Sequence, residues 1–266
     1  YDQTLPLLIE DWRSRWDDDF SFYFVQLANF RAPSTEPGNN DPWPLLQDRM
    51  RLVLETTPKT GMAIINDVGE ANDIHPKNKH DVGERLALWA LAKDYHQKIV
   101  YSGPLYLSDV PRGNQVTVKF DHVGTGLKTR DGGELARFEI AGQDQVWHWA
   151  TARITGKDTV SVSCPEVAQP VAVRYAWASN PEGANLVNSE GLPASVFRTD
   201  NWDDVESQAD LASLKLQEER GKLAAEIKEI VAKRNQAEPG SEEFNALTAR
   251  QRELMARFRA MVNPKP

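Results

Sequence analysis

The hydrophobic period of this chain changes near residue 100, and that change limits what the chain can fold into. Before it, helical and strand spacings alternate. Leu5, Leu8, Ile9, Trp12 and Trp16 share one helical stripe, which predicts a helix over 4–16 packed on a sheet. Residues 20–27 then read as a strand that is apolar at nearly every position, as a strand buried on both faces should be. A helix over about 44–56, a short buried strand at 61–66 and a helix over about 79–97 complete an alternating α/β pattern; in the last helix Val82, Leu86 and Trp89 share a face. After residue 100 the period is two. Segments 116–120, 136–140, 145–149 and 171–175 alternate or cluster as short antiparallel strands, broken by turns such as Asp131-Gly132-Gly133. Such a pattern predicts a small β-sandwich-like module.

Two stretches have no period. Residues 31–44 are too rich in Pro, Gly and Asn for regular structure, and a long loop after a parallel strand suits the wall of an active site. Residues 180–202, with Pro181-Glu182-Gly183 and Gly191-Leu192-Pro193, read as irregular and as returning to the α/β part. The last 64 residues differ in kind. Asp203 with Glu206 resembles a capping box, after which Leu216, Leu223, Ile227 and Ile230 repeat at helical spacing until Pro239-Gly240. Ser241 can cap a second helix striped by Phe244, Leu247, Leu254, Phe258 and Met261. The expected organisation is therefore an α/β segment over 1–100, a β-rich module over 101–202 and a helical hairpin over 203–266. The hairpin has two readings: an appended element for self-association, or packing on its own domain.

Composition removes several functions. A net charge of −8, with no run of basic residues interleaved with aromatics, argues against nucleic acid as a partner. No stretch of about 18 apolar residues is present, so no membrane span is expected. The single cysteine, Cys164, cannot form an internal disulfide, and the five histidines show no metal-ligand spacing. His148, between Trp147 and Trp149, reads as an alternating strand residue. Neither a metal nor a cofactor is expected.

One loop carries chemistry. Residues 71–84 place Asp73 and His75 two positions apart beside Pro76, just after the strand at 61–66 and just before an amphipathic helix. Open α/β sheets bind ligands outside the carboxyl ends of their strands, and Asp67, Asp73 and His75 all lie in the loop leaving this one. A histidine oriented by a carboxylate is the general-base half of a hydrolase that attacks through serine. The same residues also suit an ordinary turn and helix start.

The run Asn72-Asp73-Ile74-His75-Pro76-Lys77-Asn78-Lys79, followed by Asp81-Val82-Gly83 and Arg85-Leu86-Ala87-Leu88-Trp89, resembles the acid-histidine block of the sialate O-acetylesterases, a branch of the SGNH hydrolases. Phe24-Val25-Gln26-Leu27-Ala28 resembles that family's preceding strand. Ser163-Cys164-Pro165-Glu166-Val167, Ala172-Val173-Arg174-Tyr175-Ala176-Trp177 and Gly191-Leu192-Pro193-Ala194-Ser195 resemble its C-terminal sheet region. The resemblance covers about the first three quarters of the chain. It implies an α/β fold comprising the closing part of a flavodoxin-like SGNH sheet, then the β-sandwich-like module and the α-helical hairpin.

The resemblance also implies a carbohydrate esterase acting on O-acetyl groups of sialic acid or a related acetylated sugar. His75 would be the base and Asp73 its orienting acid, with Asp67 at the strand end as the alternative. The family commonly places its acid three residues before the histidine, where this chain has Asn72. The family's Gly-x-Ser nucleophile block and its Gly-Glu-Ser-Asn block are missing, so the Ser is expected outside this chain and the chain alone is expected to be an inactive fragment. A periplasmic or secreted location is the matching expectation. The competing reading is a non-catalytic glycan-binding or assembly module that stacks sugars on Trp147, Trp149 or Trp202.

Overall fold

The computed structural model describes residues 1–38, 41–202 and 208–262. Five helices and twelve strands are present among them, in two compact units, residues 1–200 and 201–266.

The first unit begins with α1 (Thr4–Trp16), β1 (Phe22–Val25), α2 (Pro42–Thr56), β2 (Thr60–Ala63) and α3 (Lys79–Lys93). β1 and β2 are parallel, Phe22 opposite Thr60 through Val25 opposite Ala63, with α2 as the crossover that parallel strands require. Helix starts follow local chemistry. The Asp41 carboxylate caps α2 by accepting from the Trp43 N–H at 3.0 Å, with Pro42 in the first turn, and the Asn78 amide oxygen caps α3 by accepting from the Asp81 N–H.

The pair is buried on two sides. Ile9, Met50 and Val53 from α1 and α2 pack with Phe24, Met62 and Ile64, while Val82 and Leu86 of α3 lie with Ala28, Ala63 and Ile65. Gly61 allows α3 to come close: a Cβ there would sit 2.5 Å from the Trp89 ring and 2.7 Å from Tyr23. Two sequence expectations need correction. Only Phe24 of β1 is buried, and on α1 Leu8, Trp12 and Trp16 are exposed, Trp16 to 76%. The physical reason is width, because two strands offer too little surface to cover a helical stripe.

The rest of the unit is a β-sandwich. One sheet has the order β3 (Leu105–Arg112), β4 (Gln115–Asp121), β9 (Thr159–Ser163), β8 (Thr151–Ile154), and the other β12 (Phe197–Arg198), β10 (Ala172–Tyr175), β6 (Phe138–Ala141), β7 (Trp147–Trp149). A short pair, β11 (Leu186–Asn188) with β5 (Leu127–Thr129), adjoins them. Val116, Val118, Phe120, Val160 and Val162 meet Phe138, Ile140, Val173, Tyr175 and Phe197 in one apolar core. Residues 180–202, expected to be irregular, contain β11 and β12 and are buried for much of their length.

Parallel pair and sandwich are joined by polar contacts. Buried Gln26, just beyond β1, donates to Gln47 O at 3.0 Å and to Ser195 Oγ at 2.9 Å; Asn66, just beyond β2, donates to Ala194 O at 3.0 Å. Asn29 donates to the Asn180 side chain, and Phe30 N–H to Ser179 O at 2.8 Å.

The second unit contains a helical hairpin, α4 (Gln208–Gln236) and α5 (Glu242–Val262), joined through Gly240 at φ 86°. Ser241 caps α5 by accepting from Phe244 N–H at 3.1 Å, and Leu223 and Leu254 are buried. The capping box expected at Asp203 and Glu206 lies outside the described residues. No described helix is long and apolar enough to cross a membrane.

Candidate active site

The loop that leaves β2 is shaped by hydrogen bonds around its acidic residues. Glu70 forms a parallel bridge with Phe30 and an antiparallel one with Asp73, and Arg31 N–H binds Ala71 O at 3.0 Å. The Glu70 carboxylate then closes the loop on itself, accepting from Lys77 N–H through one oxygen and from Lys77 Nζ through the other, both at 3.0 Å. These bonds hold the Glu70 carboxyl below its usual range, with the Lys77 side chain as the main cause. Gly69 lets the next loop come close, since its N–H donates to Asn29 Oδ1 where any Cβ would strike the Asn29 carbonyl.

Asp73 and His75 are brought together inside this closed loop. One carboxylate oxygen, Oδ1, accepts the His75 backbone N–H at 2.9 Å and lies 3.3 Å from His75 Nδ1. The backbone bond is the main reason the Asp73 carboxyl is held below its usual range. With Nδ1 turned to the carboxylate, the other ring nitrogen, Nε2, is the one available to a reacting group, and the imidazole is 84% exposed. Among the described residues no serine hydroxyl is hydrogen-bonded to His75.

Asp67 is placed elsewhere. Its carboxylate is nearly buried and bidentate to Arg85, at 2.5 and 2.9 Å, and also receives Arg130 Nη2 at 3.0 Å. Arg85 in turn donates to Ile64 O at 2.7 Å, so this cluster fastens the end of β2 to α3 and to the sandwich side. Glu70, Lys77, Arg85 and Arg130 were not singled out in the sequence. Glu70 precedes the acid-histidine run and Lys77 lies within it, a signal that could have been read; Arg130 is 63 positions from Asp67 and leaves no local trace.

Among the described residues, the buried serines have structural partners. Ser195 lies buried between Gln26 and Val196 O, Ser179 bonds closely to Asp41, and Ser102 is buried. Two of the three tryptophans considered as sugar platforms are also occupied. Trp147 has the Arg174 guanidinium 4.1 Å from its ring, and Trp149 has Arg137 at 5.3 Å and donates to Thr35 O. Beside them Glu139 is buried and pushed up to about 7 by that burial, with one oxygen accepting from Gly38 N–H at 3.0 Å. Three neighbouring side chains of α3, His80, Asp81 and Glu84, bring their ligand atoms together, but the group is exposed and only Asp81 is half-buried.

No protein-family model and no curated protein matches the chain. Among solved structures it is similar to a carbohydrate acetylesterase from Xanthomonas citri, at 44% identity and a TM-score of 0.72, over 76% of this chain and 46% of that one. The chain thus spans about half the length of the enzyme it matches.

Proposed function

We propose that this chain carries the acid-histidine half of a carbohydrate esterase that removes O-acetyl groups from sialic acid or a related acetylated sugar. The carrying observation is the Asp73–His75 pair, with Nδ1 3.3 Å from the carboxylate and Nε2 left for substrate chemistry, in a chain similar to a carbohydrate acetylesterase. The nucleophilic Ser belongs to polypeptide outside these residues, because the serines described here are far better explained as structural hydroxyls. The parallel pair then forms the closing part of a flavodoxin-like SGNH sheet.

In this reading His75 Nε2 accepts the Ser proton as the hydroxyl attacks the acetyl carbonyl. It returns that proton to the departing sugar oxygen, and in a second round it activates water to release acetate. Asp73 holds Nδ1–H and so fixes the tautomer that makes Nε2 the base. A sialic carboxylate needs a nearby cation, and Arg31, 56% exposed on the loop bonded to Ala71 and paired with Asp41 at 3.7 Å, is suited to that part by exchanging one carboxylate for another.

The test is acetate release by the complete enzyme from O-acetylated N-acetylneuraminic acid and from O-acetylated neutral sugars. His75→Ala should abolish it on every substrate. Near-normal turnover in His75→Ala would overturn the reading, and preference for neutral sugars would remove sialic acid from it.

A further inference from the structure

The strands of the parallel pair have two ends, and the second end is open. The loop with Asp73 and His75 leaves their carboxyl ends. At their amino ends a groove of about 1160 Å³ runs between α2, the end of α3 and β3. Ligand pockets for single small molecules usually hold about 300–1,000 Å³, so this groove has room for a chain of several rings.

Its chemistry is that of a neutral polyol site. Tyr23, Tyr101 and Tyr106 line it, and each phenol oxygen is tied down: Tyr23 to Asp94 at 2.7 Å, Tyr101 to His122 at 3.2 Å, Tyr106 to Asp109 at 2.5 Å. Tyr106 is itself stacked on Phe197 at 5.0 Å with Arg51 5.8 Å over its ring, so it is chiefly Tyr23, its ring 6.5 Å from Trp89, that offers apolar surface at little further cost in conformational freedom. Lys93 lies 4.5 Å over the Tyr101 ring and adds a donor, and the Asp94 carboxylate adds acceptors. The lining holds four acidic side chains against three lysines or arginines, so the charge nearly cancels and favours neither a polyanion nor a polycation. The wall is also strained. Lys59, His96 and His122, all lining residues, hold left-handed φ of 53°, 55° and 58°, a conformation that non-glycine residues keep where the surroundings impose it, often at binding sites.

We propose that this groove binds a neutral oligosaccharide, and so holds the backbone of an acetylated polysaccharide at a second site remote from His75. The assignment rests on the acetylated-carbohydrate reading above. It is tested on the 266-residue chain by calorimetry and NMR titration with cellohexaose, xylohexaose and mannohexaose, with polygalacturonate as the anionic comparison. At least one neutral hexasaccharide should bind, with saturable shifts at Tyr23 and Tyr101. Lys93→Ala, a surface change, and Tyr23→Ala should each weaken it about tenfold or more, as loss of one good contact does, with thermal unfolding of Lys93→Ala unchanged. The proposal is overturned if no neutral hexasaccharide binds, if polygalacturonate alone binds, if the shifts map to residues 66–78, or if Lys93→Ala binds normally. His75→Ala should bind as wild type does, so failure of the esterase reading appears in acetate release and failure of the groove appears here.

Discussion

At the scale of single residues, two acids on one loop have separable consequences. Asp73 touches only the loop and His75, so Asp73→Asn in the complete enzyme should leave the fold intact. Turnover should nevertheless fall by several orders of magnitude, about 10⁴ on the precedent of the protease triad, because an Asn favours the wrong imidazole tautomer. Asp67 has the opposite profile. Replacing it by Asn strips two guanidiniums of their carboxylate, one of them, on Arg85, only 12% exposed, and should cost about 3 kcal/mol of stability, seen as a lowered Tm with a smaller loss of kcat. The reverse ranking, in which Asp67→Asn lowers kcat more than Asp73→Asn does, would make Asp67 the orienting acid. A further residue acts through His75 without touching it. Glu70 closes the loop through Lys77, and Glu70→Ala should move the His75 ring ¹⁵N shifts toward those of a free imidazole. Unchanged shifts would reduce Glu70 to a surface ion pair of little worth. The acid-histidine pair was legible because both partners lie within three residues; the Asp67 cluster was not, because spatial neighbours far apart in sequence leave no periodic mark.

At the scale of elements, the stretch over 31–38 is bound to the sandwich more firmly than its composition implies. Arg137 donates to Ser34 O at 2.7 Å, Trp149 to Thr35 O, and Glu139 receives Gly38 N–H. Burial raises the Glu139 carboxyl from 4.5 to about 7, so between those values the folded chain holds a proton that the unfolded chain has released. Stability should therefore decline as pH rises from about 4.5 to about 7, by an amount on the order of 3 kcal/mol if Glu139 acts alone. Glu139→Gln should flatten that decline in pH-dependent urea unfolding; an unchanged slope would show that the group titrates normally. Period-two alternation announced β4, β6, β7 and β10. It did not announce β3, which carries Pro111 and lies at the edge of its sheet with its residues largely exposed, so no apolar alternation is required of it. The short strands β5, β8, β11 and β12 were equally silent.

At the scale of the whole molecule, none of the candidate residues of the proposed chemistry, Asp67, Asp73 and His75, lies in the helical hairpin. Removing the chain after Trp202 from the complete enzyme should leave kcat/KM on a chromogenic acetate within about a hundredfold; a larger loss in a folded protein would give the hairpin a role in shaping the site. The 266-residue chain by itself should release no acetate, and release blocked by a serine-directed reagent would place the nucleophile within it. The polar seam between the parallel pair and the sandwich has a consequence for how such proteins diversify. Gln26 and Asn66 meet Ser195 and the Ala194 carbonyl through directional bonds rather than through interchangeable apolar surface. Hydrogen bonds do not tolerate sliding as greasy faces do, so a sandwich exchanged between relatives would have to present its serine hydroxyl and carbonyl in register with Gln26 and Asn66. Recombination at residue 100, where the hydrophobic period invites a cut, would part donors from acceptors; the heritable block is the whole of residues 1–200.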